Sequence, residues 1–536
     1  MKLLRRLLIQ SHRYLGIALC LLAIMWFASG FVMMYAGGLP RLSPELRLER
    51  MPDVDLSKVR LSPAEAVERL GDDPAGERVM LLTVLGRPAY RIGGTTVFAD
   101  TGDTLEPLSL AQSRTIASRF LRLAADRVSA GVTITSADQW TLEQRGLPLH
   151  KFIVDDGNGT EIYVQPRSGE IVTLTTKKSR LLAWMGTIPH WMYFTALRLN
   201  QPLWYRIVVW TSGAVCVLAA LGLALTVTQF RKTRPFRLAA AIPYSGAMRW
   251  HYVTGAVFGV FTLTWAFSGL ISMEPFEWTN ARGLDVRRDV FTGGPLDLSR
   301  FPAMNADRWN SLLGGRAIRE VEFTRIQDGH YYVVRQAPQA AAVAKQRERL
   351  HQPYYVTGRA EAGRVLVDAD TLAIRHEPFS ADALVARLRA EVPDVPVVES
   401  TLLADYDSYY YSRGRLTPLP VLRVKFADPA ETWVYVDPEM SQVLAQVNRL
   451  NRVERWVYNG LHSLDFAFWY NKRPLWDIVM IVLLAGGLTS SVLGMVMGIR
   501  RLRRGAKGLA TWADVAPEGQ HGPAVTGAVQ RTTTAR

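Results

Sequence analysis

Four stretches of this 536-residue chain are long, apolar and nearly free of charge: about Tyr14–Tyr35, Leu203–Phe230, Tyr252–Met273 and Leu475–Ile499. Each supplies the roughly 20 residues that a membrane-spanning helix needs. Lipid offers no hydrogen-bond partners, so a chain that enters it must satisfy its own backbone, as a helix does. A single run of this kind is compatible with the buried core of a soluble domain, but four in one chain are hard to hide there. The pattern predicts four transmembrane helices.

Charge gives the spans an orientation. The formal net charge is +15, and much of the basic excess sits beside the spans. "MKLLRR" precedes the first, "RKTRPFR" (Arg231–Arg237) lies between the second and third, and "RRLRR" (Arg500–Arg504) follows the fourth. By the positive-inside rule all three are cytoplasmic, as are both termini. The long segments Ala36–Gln201 and Glu274–Pro474 then lie on the opposite side. The basic balance is therefore an orientation signal and not a nucleic-acid footprint. The first apolar run is too long for a cleaved signal peptide. The two cysteines, Cys20 and Cys216, both fall in spans. That leaves no disulfide outside them, no C-x-x-C-H for covalent haem and no cysteine set for an iron–sulfur cluster.

The chain repeats one plan. Spans one and three both read H-x3-G-x9-W-x2-S-G, with His12, Gly16, Trp26, Ser29 and Gly30 matching His251, Gly255, Trp265, Ser268 and Gly269. "WMGTIPHWMYFTALRLNQPLW" (Trp184–Trp204) and "WVYNGLHSLDFAFWYNKRPLW" (Trp456–Trp476) both read W-x5-H-x11-P-L-W and lead into spans two and four. Each half holds two spans, so both halves cross in the same direction. Parallel repeats of this kind are related by a pseudo-two-fold axis along the membrane normal. Each long segment reads as two units of helix followed by strands. β-branched and aromatic residues alternate there between Asp, Gly and Pro turns, which predicts antiparallel α+β units. The tail from about Ala506 is polar and rich in small residues, and is expected to be disordered.

Four of the nine histidines fall at repeat-related positions. His12 and His251 are expected at one depth, His190 and His462 at another. An axis that brings equivalent residues face to face would give two opposed imidazole pairs. Opposed neutral imidazoles suit the axial ligation of haem iron, and closing both axial positions favours electron transfer over oxygen chemistry. The reading is two b-type haems, one near each membrane surface. Trp26, Trp265, Trp191, Phe468 and Trp469 are candidates to pack the porphyrins, with Gly16, Gly255, Gly30 and Gly269 allowing close approach. A zinc or copper site would need further ligands, and the repeat supplies two nitrogens per site. The plainer alternative makes these histidines and tryptophans interfacial anchors and the Ser-Gly pairs helix-packing residues.

The openings "SHRYLG" and "RWHYVTG", the ending "WAFSG", the stretch "DSYYYSR…PLPVLRV" and the segment "GLHSLDF" are similar to the PepSY-associated transmembrane proteins, also called iron-regulated membrane proteins. The likeness covers roughly residues 8–503. It implies a multi-domain membrane protein of the bacterial inner membrane, with a four-helix transmembrane bundle formed by a parallel internal duplication and α+β PepSY-like periplasmic domains. It also implies reduction of a ferric siderophore through two membrane haems, with His12, His251, His190 and His462 as axial ligands. The expected division is 1–37 (N-terminus and first span), 38–180 (units one and two), 181–230 (His segment and second span), 231–249 (cytoplasmic loop), 250–273 (third span), 274–455 (units three and four), 456–499 (His segment and fourth span) and 500–536 (basic stop and tail).

No G-x-G-x-x-G fingerprint for flavin or NAD(P) is visible, so the electron donor must be separate, a membrane quinol or a cytoplasmic reductase. An iron chelate could rest against "DYDSYYYSRGR" (Asp405–Arg415) through Tyr409, Tyr410 and Arg413, with Trp140 in the aligned stretch of the first half. Packing tyrosines are the alternative. His150, His330, His351, His376 and His521 have no repeat partner. Two other functions compete. An anchored PepSY module that modulates a peptidase would need one span and no matched histidines, and a permease would need broken or polar spans at the midplane.

Overall fold

The protein is described by a computed structural model over residues 2–513, apart from 72–76, 144–145, 232, 236, 280–282, 338–363, 412–416, 467 and 471. Four helices are long and apolar enough to cross a membrane: α1 (Lys2–Met33), α6 (Gln201–Gln229), α7 (Gly246–Ile271) and α12 (Leu475–Ala513). Helix α1 packs on α6 and α12, and α7 packs on the same two helices. The four therefore close into a ring in which α1 and α7 face each other across the diagonal. Large apolar side chains cover the outside of the ring, Trp210 being 76% and Val227 77% exposed. On a soluble protein such a surface would be an aggregation hazard; here it is a lipid-facing one.

Two boundaries differ from the sequence reading. Helix α1 begins at Lys2, so His12 stands several turns inside it, because the Leu- and Arg-rich start is itself helix-forming. Helix α12 runs on to Ala513, past the residue where the disordered tail was expected to begin, because Arg, Lys, Leu and Ala continue a helix at little cost. Residues 514–536, with His521, lie outside the described residues.

The remaining chain forms helix-then-strand units on the side of the bundle opposite the two termini. Helix α2 (Pro63–Glu68) is started by a Ser62–Glu65 capping box and precedes β1 (Val79–Val84), β2 (Arg87–Ile92) and β3 (Thr95–Phe98). Helix α3 (Leu110–Leu121), with its Ser109–Gln112 box, precedes β4 (Val132–Ile134), β5 (Leu149–Ile153), β6 (Glu161–Gln165) and β7 (Glu170–Thr175). After the short helices α4 (Lys177–Met185) and α5 (Thr187–Trp191) comes α6. In the second half α8 (Ala306–Leu313) precedes β8 (Ile318–Ile326), β9 (Gly329–Gln336), β10 (Arg364–Asp368) and β11 (Ile374–Arg375). Helix α9 (Ala381–Glu391) precedes β12 (Val397–Leu403), β13 (Val421–Phe426), β14 (Trp433–Asp437) and β15 (Gln442–Val447). Then come α10 (Arg449–Arg455), one π-helical turn (Trp456–Gly460) and the single turn α11 (Leu461–Ser463).

The first unit of each half does not stand alone. Strand β1 pairs with β8, Leu81 opposite Val321, giving one seven-stranded sheet in the order β11-β10-β9-β8-β1-β2-β3. Tyr90, Phe301, Trp309 and Tyr332 fill its core. The buried Glu320 accepts from Arg47 of the first half at 2.9 Å and from Arg335 on the neighbouring β9 at 3.2 Å. The second units form separate four-stranded sheets, β4 to β7 and β12 to β15. The units are legible in the sequence but this pairing is not, because an edge strand carries no label for its partner.

Candidate functional site: two histidine pairs in the bundle

All four repeat-related histidines meet as pairs. The rings of His12 on α1 and His251 on α7 are 6.2 Å apart between centroids, with their planes at 41°. The rings of His190 on α5 and His462 on α11 are 6.1 Å apart, with their planes at 82°. The rise along α1 from His12 to Ser29, which touches His190, is about 25 Å at about 1.5 Å per residue. That separation is comparable to the thickness of a hydrocarbon layer, about 30 Å.

Each ring is held through Nδ1. His12 Nδ1 lies 3.1 Å from the Leu218 carbonyl of α6, and His251 Nδ1 lies 3.0 Å from the Ser490 carbonyl of α12. A carbonyl only accepts, so Nδ1 carries the proton in both rings and, in the neutral imidazole, Nε2 carries the lone pair. His190 Nδ1 lies 3.0 Å from Ser29 Oγ, and His462 Nδ1 lies 3.0 Å from Ser268 Oγ. Ser29 donates its hydroxyl proton to the Met25 carbonyl at 2.7 Å, and Ser268 donates to the Trp265 carbonyl at 3.1 Å. With that proton committed, each oxygen accepts from Nδ1–H. The same tautomer follows for all four rings. His190 is also pushed down to about 4 by burial, against a smaller opposing effect of the Trp26 carbonyl, so its ring is neutral at physiological pH.

Glycines make the Nδ1 contacts possible. A side chain one turn beyond a helical carbonyl leans back over it. One turn beyond Leu218 is Gly222, where an added Cβ would lie 2.9 Å from His12 Cε1. One turn beyond Ser490 is Gly494, where it would lie 3.4 Å from His251 Cε1.

The spacing of the W-H-P-L-W motif has a physical cause. Trp204 Nε1 donates to the Trp191 carbonyl at 2.9 Å, and Trp476 Nε1 donates to the Ser463 carbonyl at 3.0 Å. Each acceptor is the residue directly after the paired histidine. The Pro-Leu-Trp at the start of a span thus grips the turn that carries the ring. An arginine covers each tryptophan face, Arg198 over Trp204 at 4.6 Å and Arg473 over Trp476 at 4.0 Å.

The geometry fits axial ligation of haem iron. A metal–imidazole bond of about 2 Å on each side puts opposed ring centres about 6 Å apart. Neutral rings tethered through Nδ1 leave the lone pair on Nε2, the atom that would ligate a metal, and second contacts of this kind usually orient metal-bound histidine. Among the described residues no three of His, Cys, Asp and Glu converge as a bare-metal set would require.

The aromatic residues proposed to surround the rings have mixed surroundings. Trp265 is buried against Phe27 and Phe261, while Phe468 is 73% exposed and stacks on Phe466. The residues proposed for a chelate sit where the sheets meet the bundle. Trp140 packs beside Ile188 and Tyr193. Tyr409 lies edge-on to Trp433 and Trp456 and accepts from Trp456 Nε1 at 3.2 Å. Tyr410 is buried and stacks on Tyr435 at 5.0 Å. Arg413 lies outside the described residues, as does His351. His150 meets Ser113 within the first half's four-stranded unit, and His330 lies edge-on to Phe301.

Ser29 and Ser268 stand out in the sequence as matched residues of the repeat, with helix packing as their plainer reading, but not as histidine partners; Gly222 and Gly494 do not stand out there. The signal for the glycines was present, since both stand at the same distance beyond the Pro-Leu-Trp of their own half.

A family model described as the PepSY-associated TM region matches residues 9–501, nearly the whole chain. No curated protein matches.

Proposed function

Because the chain belongs to the PepSY-associated TM region family, we propose that it is a transmembrane di-haem b electron conduit that reduces a ferric chelate of the siderophore type on the side of the sheets. The observation that carries this reading is the pair of opposed histidine sets about 25 Å apart along the bundle, all four rings held through Nδ1. His12 and His251 would hold one haem, His190 and His462 the other. Haem iron supplies reversible one-electron chemistry when bound.

The chain's own residues do the rest. The Leu218 and Ser490 carbonyls and the Ser29 and Ser268 hydroxyls fix the tautomer and plane of each ring. Trp204 and Trp476 hold the turns that carry His190 and His462. The apolar helices keep water and ions out of the layer between the pairs. With basic segments inside, the termini are cytoplasmic and the sheets periplasmic, in a bacterial inner membrane. Matching contacts in the two halves support a parallel internal duplication. The donor is a separate quinol or cytoplasmic reductase, and the acceptor gains one electron per iron. Trp140, Tyr409 and Arg413 are the proposed acceptor contacts, while Tyr410 is taken up with Tyr435.

The test uses vesicles carrying the full chain, with a reductant inside and a ferric chelate outside together with a ferrous-specific dye. The expected result is external ferrous iron that depends on the protein and is lost in both His12→Ala and His462→Ala. Equal reduction by protein-free vesicles contradicts the proposal and favours the anchored binding module.

A further inference from the structure

In each half one turn bridges a sheet to a histidine segment, and the two turns are built alike. In the first half Asp138 accepts from Tyr163 Oη at 2.8 Å and Lys151 Nζ at 3.2 Å, both on the β5–β6 hairpin. It also takes the Trp140 backbone N–H at 3.0 Å. In the second half Asp407 accepts from Tyr435 Oη and Arg423 Nη1, both at 2.9 Å, on β14 and β13. It takes the Tyr409 backbone N–H at 2.8 Å. An aspartate, a tyrosine and a cation thus pin each turn to its own sheet.

From that anchorage each turn reaches the residue three positions after the paired histidine. Gln139 Nε2 donates to the Tyr193 carbonyl at 2.7 Å, and its oxygen accepts from Thr195 Oγ1 at 2.7 Å. Tyr411 Oη donates to Asp465 Oδ2 at 2.9 Å. Arg455 donates to the Ser408 carbonyl at 2.7 Å and to the Asp465 carbonyl at 2.9 Å, so it spans turn and segment. Asp465 is 2% exposed and Arg455 9%, so the second clamp is charged and buried. The first uses neutral partners. The buried charges cannot be separated cheaply, because breaking such a pair strands a charge away from water.

We propose that Asp138 and Asp407 are positioning residues whose turns let the sheets set the orientation of the His190 and His462 rings. A displacement of either sheet is then passed to one ring of the pair. His12 and His251, whose Nδ1 atoms meet helix carbonyls, are insulated from it. The effect on a bound haem rests on the function proposed above; the mechanical link does not.

The experiment compares full-length protein in lipid nanodiscs as wild type, Asp407→Asn and Asp138→Asn, reading backbone hydrogen exchange and haem midpoint potentials. Asp407→Asn is expected to speed exchange several-fold in 456–466 while leaving 186–195 at the wild-type rate, and Asp138→Asn the reverse. Each is expected to shift one of two haem midpoints and leave the other in place. Arg423→Lys, which keeps the cation, is expected to behave as wild type. If Asp407→Asn fails to fold, Tyr435→Phe removes one anchor at smaller cost and is read the same way. Unchanged exchange in both segments in both aspartate variants overturns the proposal. Haem-free wild type would defeat the functional reading, with the exchange result still deciding the clamp.

Discussion

At the scale of the residue, four imidazoles and the groups that touch their Nδ1 atoms carry the proposed chemistry. Ser29 and Ser268 each do two things: they return their own proton to the helix and accept one from a histidine of another segment. Replacing Ser29 with Ala leaves His190 Nδ1–H without that acceptor. Contacts of this type are worth about 10- to 100-fold in metal affinity. Ser29→Ala and Ser268→Ala are therefore expected to weaken haem retention at the sheet-side pair by about that factor, leaving the other haem bound, as read by competition with apomyoglobin. The ring planes supply a second expectation. Near-perpendicular imidazoles push the iron dπ orbitals equally and leave them nearly degenerate, whereas rings closer to parallel split them. The 82° pair should give the more anisotropic low-spin ferric resonance, and the 41° pair a less anisotropic one. One signal type for both sites would contradict the ring geometry.

At the scale of the element, two glycines let His12 and His251 approach the neighbouring helices, and two tryptophans hold the turns that carry His190 and His462. Gly222→Val puts a branched side chain into the space of His12, so it is expected to abolish haem binding at the site proposed between His12 and His251 while the bundle still inserts. Retention of both haems in that variant would show that the helix carbonyl contact is dispensable. Trp204→Phe and Trp476→Phe keep the ring but delete an indole donor, at an expected cost of about 1 kcal/mol each in thermal or denaturant unfolding. On the sheets, burial would raise the Asp138 carboxyl, but the Tyr163 hydroxyl and Lys151 outweigh it and hold it below the ordinary 3.8. Its stabilising contribution is thus complete above that value and fades as pH falls below it. Asp138→Asn should flatten the acid limb of the unfolding curve in that range.

At the scale of the whole molecule, the membrane class and the helix-then-strand units were legible because hydrophobic length and alternation are local signals. The H-x3-G-x9-W-x2-S-G and W-x5-H-x11-P-L-W spacings can each be read twice along the chain. The histidine spacing was legible too, but its cause was not: Trp476 must be seen to reach the Ser463 carbonyl before the distance between His462 and Pro-Leu-Trp makes sense. The contacts that matter most here are long-range and partly to backbone atoms. Leu218 and Ser490 act through carbonyls that any residue would supply. The β1–β8 junction that fuses the halves was hidden for a similar reason, since strand pairing is set by geometry that no single strand encodes.

The central claim is that two pairs of histidines hold two haems at two levels. It is tested most directly by counting haem in the purified chain with pyridine haemochrome spectra, for wild type, His12→Ala and His462→Ala. The account predicts two b haems per chain in the wild type, and a single remaining haem in each variant with a different midpoint potential in the two. Well-folded wild type with no haem, or variants that both lose the same one, would contradict it.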